Sequence, residues 1–218
     1  METMTFWRTT VGKKMVMAVT GVVMILFLVA HLAGNTLVFR GPAQIDAYAA
    51  FLKHEAVALW AVRVVLLAAV VLHVIAAYQL ARDDRVARRK PYVCLQPQTA
   101  TRASRTMRVG GIIIAAFIIF HLLHLTTGTI RPAPFNSVTV YADVVGGFQI
   151  WWVSAIYLIA LAAIGLHLYH GAWSWARTLG LSRSSAVPLH RPVAIVVAVL
   201  IWAGFTSIPL AILFGLVR

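Results

Sequence analysis

Six histidines lie within long apolar stretches, where an imidazole is costly unless both ring nitrogens find partners. Each of the first four long apolar stretches holds at least one, and the fifth holds none. A single buried histidine is usually a hydrogen-bonded core residue, but one on each of four consecutive stretches indicates a shared chemical role. The six residues are His31, His73, His121, His124, His167 and His170.

The depths of four of these histidines sort them into two layers. At 1.5 Å per residue, His31 and His121 lie roughly 24 and 20 Å from the basic starts of their stretches. His73 and His167 lie roughly 13 and 15 Å from the basic ends of theirs. Two imidazoles per layer, from two different helices, match the axial ligands of two six-coordinate haems, which carry electrons rather than bind oxygen.

Small residues occur on the histidine-bearing helices at the depth of the other layer. On the first and third helices they lie eleven residues before the histidine, which is about three turns and therefore on the same face. They would leave room for a flat porphyrin, but close helix–helix packing explains small residues in membrane helices equally well. They are Thr20, Gly110, Ala160 and Ala163.

The elements that carry these residues are membrane helices. Of the 218 residues, 61% are hydrophobic and 11% are charged, whereas a soluble domain is about half apolar and a quarter charged. Five stretches reach the roughly 20 apolar residues that a membrane-crossing helix needs. The first is too long for a signal-peptide core, so we expect it to be retained. The sequence therefore predicts an all-α integral membrane bundle, a single domain over 1–218, with helices at about 15–39, 56–81, 109–128, 148–176 and 193–217.

Basic residues lie mainly in alternate connections. Three precede the first helix, eight follow the second and three follow the fourth, which is 14 of the 19 in the chain. Because lysine and arginine collect on the cytoplasmic side, we expect a cytoplasmic N-terminus and an outer C-terminus. The same rule accounts for the net charge of +13 without invoking nucleic acid. Trp151 and Trp152 suit the outer interface, and Trp173 and Trp175 the inner one.

Other chemistries fit less well. The predicted helices contain almost no Asp or Glu to complete a zinc site. The only cysteine, Cys94, excludes a disulfide framework or a cysteine-ligated cluster within this chain alone. Neither a Gly-rich phosphate loop nor a credible nucleophilic triad is present.

Several segments, taken in order, resemble one known family. They are "VAHLAGN" in the first helix, "LHVIAAYQLA" in the second, "RVGGIIIAAFIIFH" in the third and "GLHLYHGAWSWARTLG" in the fourth. With five helices, the chain resembles the single-chain dihaem cytochrome b anchor of succinate:quinone oxidoreductases, the succinate dehydrogenase and fumarate reductase family. The resemblance runs from about Trp7 to the end of the chain, and the helix-four segment is its most specific part.

The resemblance implies two haem b groups, one joining helices one and three through His31 and His121, and one joining helices two and four through His73 and His167. It puts His124 and His170 at positions where ligation is not expected, beside a haem edge or a propionate, with both residues left as fallback ligands. It also implies a subunit without catalysis of its own in the bacterial cytoplasmic membrane. Flavoprotein and iron–sulfur partners on the cytoplasmic face would pass electrons from succinate, an intermediate of the tricarboxylic acid cycle, to a respiratory quinone, expected to be menaquinone. Higher oligomers of such a complex are compatible with the sequence.

One position departs from the family pattern. Some fumarate reductases have a glutamate, implicated in transmembrane proton transfer, two residues before the helix-four ligand. Here that position is Gly165. The departure argues against a simple copy of those enzymes.

Charged residues near the helix ends are candidates for haem propionates and quinone. Arg63 is the outer propionate candidate, although it could equally extend to the interface. Lys14 and Arg177 are inner candidates that positive-inside charge explains equally well. His54 and Glu55 are candidates for an outer quinone and proton site, with an ordinary hydrated pair as the alternative and an inner quinone site left open.

Two other functions remain in competition with this one. The chain could be the dihaem subunit of another membrane dehydrogenase, such as a hydrogenase or formate dehydrogenase. It could also be a haem-free structural anchor in which the histidines serve packing.

Overall fold

A computed structural model describes residues 6–87, 102–130, 139–180 and 190–218. All regular structure in these residues is helical, and five helices are long and apolar enough to cross a membrane. This confirms the predicted all-α membrane bundle. The helices are α1 (Thr10–Asn35), α2 (Pro42–His54), α3 (Ala56–Ala87), α4 (Arg102–His121), α5 (Val140–Phe148), α6 (Trp151–Thr178) and α7 (His190–Leu213).

Several helices extend beyond their predicted apolar limits. The first begins at Thr10, where the side chain of Thr9 caps it by accepting a hydrogen bond from the Gly12 amide. Similarly, α3 runs on to Ala87 and α4 starts at Arg102. Apolarity marks only the part of a helix that lies in hydrocarbon, whereas backbone hydrogen bonding continues into the polar interface.

The long basic connection predicted after the second membrane helix is therefore partly helical. Its middle part, 88–101 with Cys94, lies outside the described residues, as do Arg131 in 131–138 and Arg183 in 181–189. The fourth membrane helix begins at Trp151 rather than at 148, because Phe148 ends the separate helix α5. The hydroxyl of Ser154 donates to the Phe148 carbonyl at 2.7 Å and satisfies that helix end.

Two short helices that the sequence did not predict, α2 and α5, lie together at one end of the bundle. The carboxylate of Asp46 on α2 accepts from the Tyr141 amide at the start of α5, at 2.9 Å. The Tyr141 hydroxyl donates to the carbonyl of the C-terminal residue, Arg218, at 2.8 Å. This end, predicted to be the outer one, is thus covered by α2, α5 and the end of the chain.

The densest packing lies on one side of the bundle. Helix α6 packs along α7, while α1 packs along α3 and α4 along α6. The larger hydrophobic cluster joins α2, α5, α6 and α7 at the end covered by the short helices. Its members include Val38, Ile45, Val145, Phe148, Tyr157 and Ile212.

The helices that carry the paired histidines stay apart from each other. Within the described residues, α1 makes hardly any backbone contact with α4, and α3 hardly any with α6. Side chains must therefore bridge both gaps. These are the two helix pairs that the depths of the histidines joined.

Two acidic residues near the end of α3 connect it to its neighbours. Asp83 Oδ2 accepts from Lys13 Nζ on α1 at 2.6 Å, and the Lys13 side chain is nearly buried. Asp84 lies 3.8 Å from Arg108 on α4, with both side chains exposed. The exposed pair is screened by solvent and contributes little, so Lys13–Asp83 is the stronger connection.

Replacing Lys13 with alanine should destabilise this end of the bundle by about 1–3 kcal/mol, because Asp83 loses a charge-assisted hydrogen bond. The loss would appear as a lower midpoint of thermal unfolding in detergent. Lys14→Ala is the matched control, since Lys14 is exposed. Equal losses in the two variants would show that overall positive charge matters rather than the ion pair.

Candidate functional site

The histidines form two close pairs across the gaps between helices. The ring centroids of His31 on α1 and His121 on α4 are 6.0 Å apart, with planes at 82°. Those of His73 on α3 and His167 on α6 are 6.2 Å apart, with planes at 53°. We call these the outer pair and the inner pair. The structure brings together the partners that the depth arithmetic joined.

The spacing within each pair fits two imidazoles on opposite sides of one metal ion. An imidazole nitrogen lies about 2.0–2.1 Å from a first-row metal, and the ring centre lies about 1 Å farther away, so the two centres should be about 6 to 6.5 Å apart. Within the described ranges, no three His, Cys, Asp or Glu side chains converge on one point. A haem needs only two protein ligands, because the porphyrin supplies the other four.

In the inner pair, His73 forms a hydrogen bond through Nδ1 that leaves its Nε2 free. Thr20 Oγ1 donates its single proton to the Val16 carbonyl at 2.7 Å. It must therefore accept from His73 Nδ1, which is 3.1 Å away. With the ring proton on Nδ1, Nε2 of His73 presents a lone pair, as a metal ligand requires.

The other member of the inner pair, His167, lacks such support. Its Nδ1 is buried and has no hydrogen-bond partner among the described residues. An unpaired buried polar atom costs about 1–3 kcal/mol. The ring therefore stands in the apolar interior without the hydrogen bond that a merely structural histidine would make.

In the outer pair, His121 shares one hydroxyl group with a second histidine. Tyr157 Oη on α6 lies 3.2 Å from Nδ1 of His121 and 2.9 Å from Nδ1 of His124. The chain turns from α-helix to π-helix between these histidines, over Leu122–Thr126. The wider turn is seen in the Thr127 amide, which donates to the Leu122 carbonyl five residues back.

Sequence reasoning missed Tyr157. It lies ten residues before His167 on the same helix, a separation of about 15 Å. The signal in the sequence would have been a tyrosine on the fourth membrane helix at the depth of the outer pair, one layer from the inner ligand predicted on that helix.

His31 differs from the other three histidines of the pairs. Its Nδ1 faces the Asn35 amide nitrogen at 3.3 Å, and that same nitrogen donates to the His31 carbonyl at 2.7 Å. A donor against Nδ1 favours the tautomer with its proton on Nε2. Stacking of Phe27 on the ring, at 5.1 Å, fixes its plane. In that tautomer the proton of His31 occupies Nε2. The hydrogen bond of His31 therefore does not leave Nε2 free for a metal, unlike the hydrogen bond of His73.

The small residues differ in what they allow. A Cβ at Gly110 would meet nothing within 4 Å, so open space lies beside α4 there. Thr20 is instead the hydrogen-bond partner of His73. Ala160 is 2% exposed and closely packed, while Ala163 is half-buried. Room for a flat group is therefore seen at Gly110, whereas close packing explains Ala160.

At the predicted inner end, three side chains of α6 form a row. The rings of His170 and Trp173 meet edge to face at 6.5 Å, and the Arg177 guanidinium lies over Trp173 at 5.0 Å. Lys14, the other inner propionate candidate, is exposed. The row keeps Arg177 on the same helix side as His170.

At the predicted outer end, the candidate residues lie on the surface. Arg63 is exposed, with its guanidinium 4.9 Å from the Trp60 ring, as expected of a residue reaching the interface. His54 Nδ1 and Glu55 Oε1 are 3.3 Å apart, with side chains 85% and 53% exposed. That exposure is the geometry of a hydrated pair rather than of an enclosed site.

An apolar groove of about 450 Å³ opens between α6 and α7 and is lined in part by Gly165, Tyr169 and Trp202. A Cβ at Gly165 would lie 3.0 Å from Trp202 Cδ1, so a larger residue there would displace the indole. At one end, the Tyr169 hydroxyl accepts from Arg191 Nε at 3.0 Å. The walls of the groove are almost entirely apolar, and Tyr169 is the one lining residue whose side chain carries a hydroxyl group.

Comparison of the chain with models of protein families, with curated proteins and with solved structures found no match.

Proposed function

We propose that the chain is the dihaem cytochrome b anchor of a succinate:quinone oxidoreductase in a bacterial cytoplasmic membrane. The observation that carries this proposal is that the outer and inner histidine pairs bridge helices that make hardly any other contact. The ring centroids are 6.0 Å apart within the outer pair and 6.2 Å apart within the inner pair. Electrons would enter at the basic end, pass the inner pair and then the outer pair, and leave to a membrane quinone.

In this proposal the four histidines hold two haems, which supply one-electron chemistry when bound. His73 is oriented by Thr20, and His121 by Tyr157. Apolar rings contact the outer pair, with Phe27 and Phe205 beside His31 and Phe117 beside His121. Neutral imidazole ligands in such surroundings suit electron transfer, because they add no net charge to the hydrocarbon region.

The basic end offers a surface for soluble partners. Five exposed cations lie on the connected ends of α1, α3 and α4, with only Asp83 and Asp84 as described acidic neighbours. A positive surface of this kind suits an acidic patch on an iron–sulfur partner, which would in turn bind the flavoprotein. The five residues are Lys14, Arg82, Arg85, Arg105 and Arg108.

A reduced-minus-oxidised spectrum of the purified chain should show b-type bands from two haems. Alanine at any one of the four paired histidines should remove one haem, because a single axial ligand holds it weakly. Within each pair, both substitutions should remove the same haem, as measured by haem content and spectrum.

His124→Ala and His170→Ala are the matched controls, and both should retain two haems. A wild-type chain without b-type bands would instead support the structural anchor. Loss of the outer haem with His124→Ala, but not with His121→Ala, would move the ligand one turn along the chain.

Gentle detergent extraction of the tagged full-length chain should co-purify a flavoprotein with covalently bound flavin and an iron–sulfur protein. Mass spectrometry and flavin fluorescence of the separated subunits would identify them. A nickel- or molybdenum-containing partner would instead assign the chain to a hydrogenase or formate dehydrogenase.

The groove between α6 and α7 fits a quinone better than the exposed His54–Glu55 pair does. A quinone site needs apolar walls and a proton donor near one carbonyl. The lining of the groove would supply the apolar walls, and we take Tyr169, one of its lining residues, as the candidate donor. It lies on the side of α6 away from His167, about one helix diameter, roughly 10 Å, from the inner pair.

Tyr169→Phe should lower quinone reduction by the intact complex about tenfold or more, because the proton donor is lost. Both haems should remain, so spectra separate this effect from misfolding. Glu55→Gln tests the outer site in the same assay. A slow Glu55→Gln variant beside a fully active Tyr169→Phe variant would place quinone at the outer surface.

A further inference from the structure

One hydroxyl group, that of Tyr157, lies between two imidazole nitrogens. The distances are 3.2 Å to Nδ1 of His121 and 2.9 Å to Nδ1 of His124. A tyrosine hydroxyl carries one proton, so it can donate to only one of the two rings. The other ring must donate to the tyrosine oxygen.

The direction of the two hydrogen bonds follows if His121 is an axial ligand, and the inference therefore rests on the proposed function. Ligation through Nε2 leaves the ring proton of His121 on Nδ1, which then donates to Tyr157 Oη. The tyrosine must in turn donate to His124 Nδ1. His124 then carries its own proton on Nε2, so it accepts from Tyr157 at Nδ1 and is not a second ligand.

Close packing fixes the tyrosine in place. Phe117 and Phe148 meet the Tyr157 ring edge to face at 4.9 and 4.7 Å, and the tyrosine is 5% exposed. A well-packed ring of this kind keeps its hydroxyl group at one point. Movement of His121 would therefore break its hydrogen bond.

His124 is held equally firmly. It is 2% exposed, and Phe120 stacks on its ring at 5.5 Å with planes 16° apart. Gly147 on α5 lies against it, since a Cβ there would be 2.9 Å from His124 Cε1. The π-helical turn after His121 and the glycine on α5 together allow His124 to reach the hydroxyl that His121 also uses.

We infer that Tyr157 is a positioning residue for the outer haem, setting both the orientation and the electron donation of His121, with His124 as its fixed hydrogen-bond acceptor. A ligand imidazole that donates its second proton becomes more basic and stabilises the oxidised iron. Donation from the tyrosine to His124 strengthens the first hydrogen bond, because adjoining hydrogen bonds polarise one another.

Redox titration of the two haems in the intact complex tests this inference. Tyr157→Phe keeps the ring and its packing but removes the hydroxyl, so the midpoint potential of the outer haem should rise while that of the inner haem stays unchanged. The outer haem is identified as the one that His121→Ala removes. Both haems should remain at full content in Tyr157→Phe.

Two further variants separate positioning from a general structural effect. His124→Leu should raise the outer potential by less than Tyr157→Phe does, whereas His124→Asn, with a polar atom near the place of Nδ1, should restore it. Thr20→Val is the reciprocal control, since Thr20 accepts from His73, and it should raise the inner potential alone.

The outcomes are distinct. A wild-type complex without haem contradicts the proposed function itself. Two bound haems with an unshifted outer potential in Tyr157→Phe contradict the role of the tyrosine, as does an equal shift of both haems.

Discussion

An imidazole inside a membrane must satisfy two ring nitrogens where no water is available. This constraint organises the bundle. Thr20 and Tyr157 each place a hydroxyl oxygen within hydrogen-bond distance of Nδ1, on His73 and His121 respectively. The Nδ1 atom of His167 is the exception, since it is buried without a partner among the described residues.

The same constraint explains why the packing is uneven. Helices α6 and α7 share a close apolar interface, and the larger cluster continues from them into α2 and α5. The histidine-bearing pairs α1–α4 and α3–α6 are held apart within the described ranges. Under the proposed function, the separation would leave room for a flat group between each pair of helices, while the close packing of α6 with α7 would hold the histidines in position.

Helix number and histidine pairing could be predicted from the sequence, because both follow from regular quantities: apolar length and a rise of 1.5 Å per residue. The short helices α2 and α5 could not, since they lie at the interface and lack a long apolar run. Neither could the π-helical turn at Leu122–Thr126, because no local residue pattern marks it and the contacts of His124 with Tyr157 and Gly147 come from distant parts of the chain. Hydropathy likewise carries no information on side-chain hydrogen bonds, and for that reason Tyr157 and the donor against His31 appeared only in the structure.

The separation of α1 from α4 and of α3 from α6 also bears on how the protein is made. After insertion, α1 with α3 and α4 with α6 and α7 would form two halves joined mainly where α1 meets α6. If the chain binds haems as proposed, the two groups would fill both gaps and join the halves, and assembly of the bundle would then depend on the supply of haem.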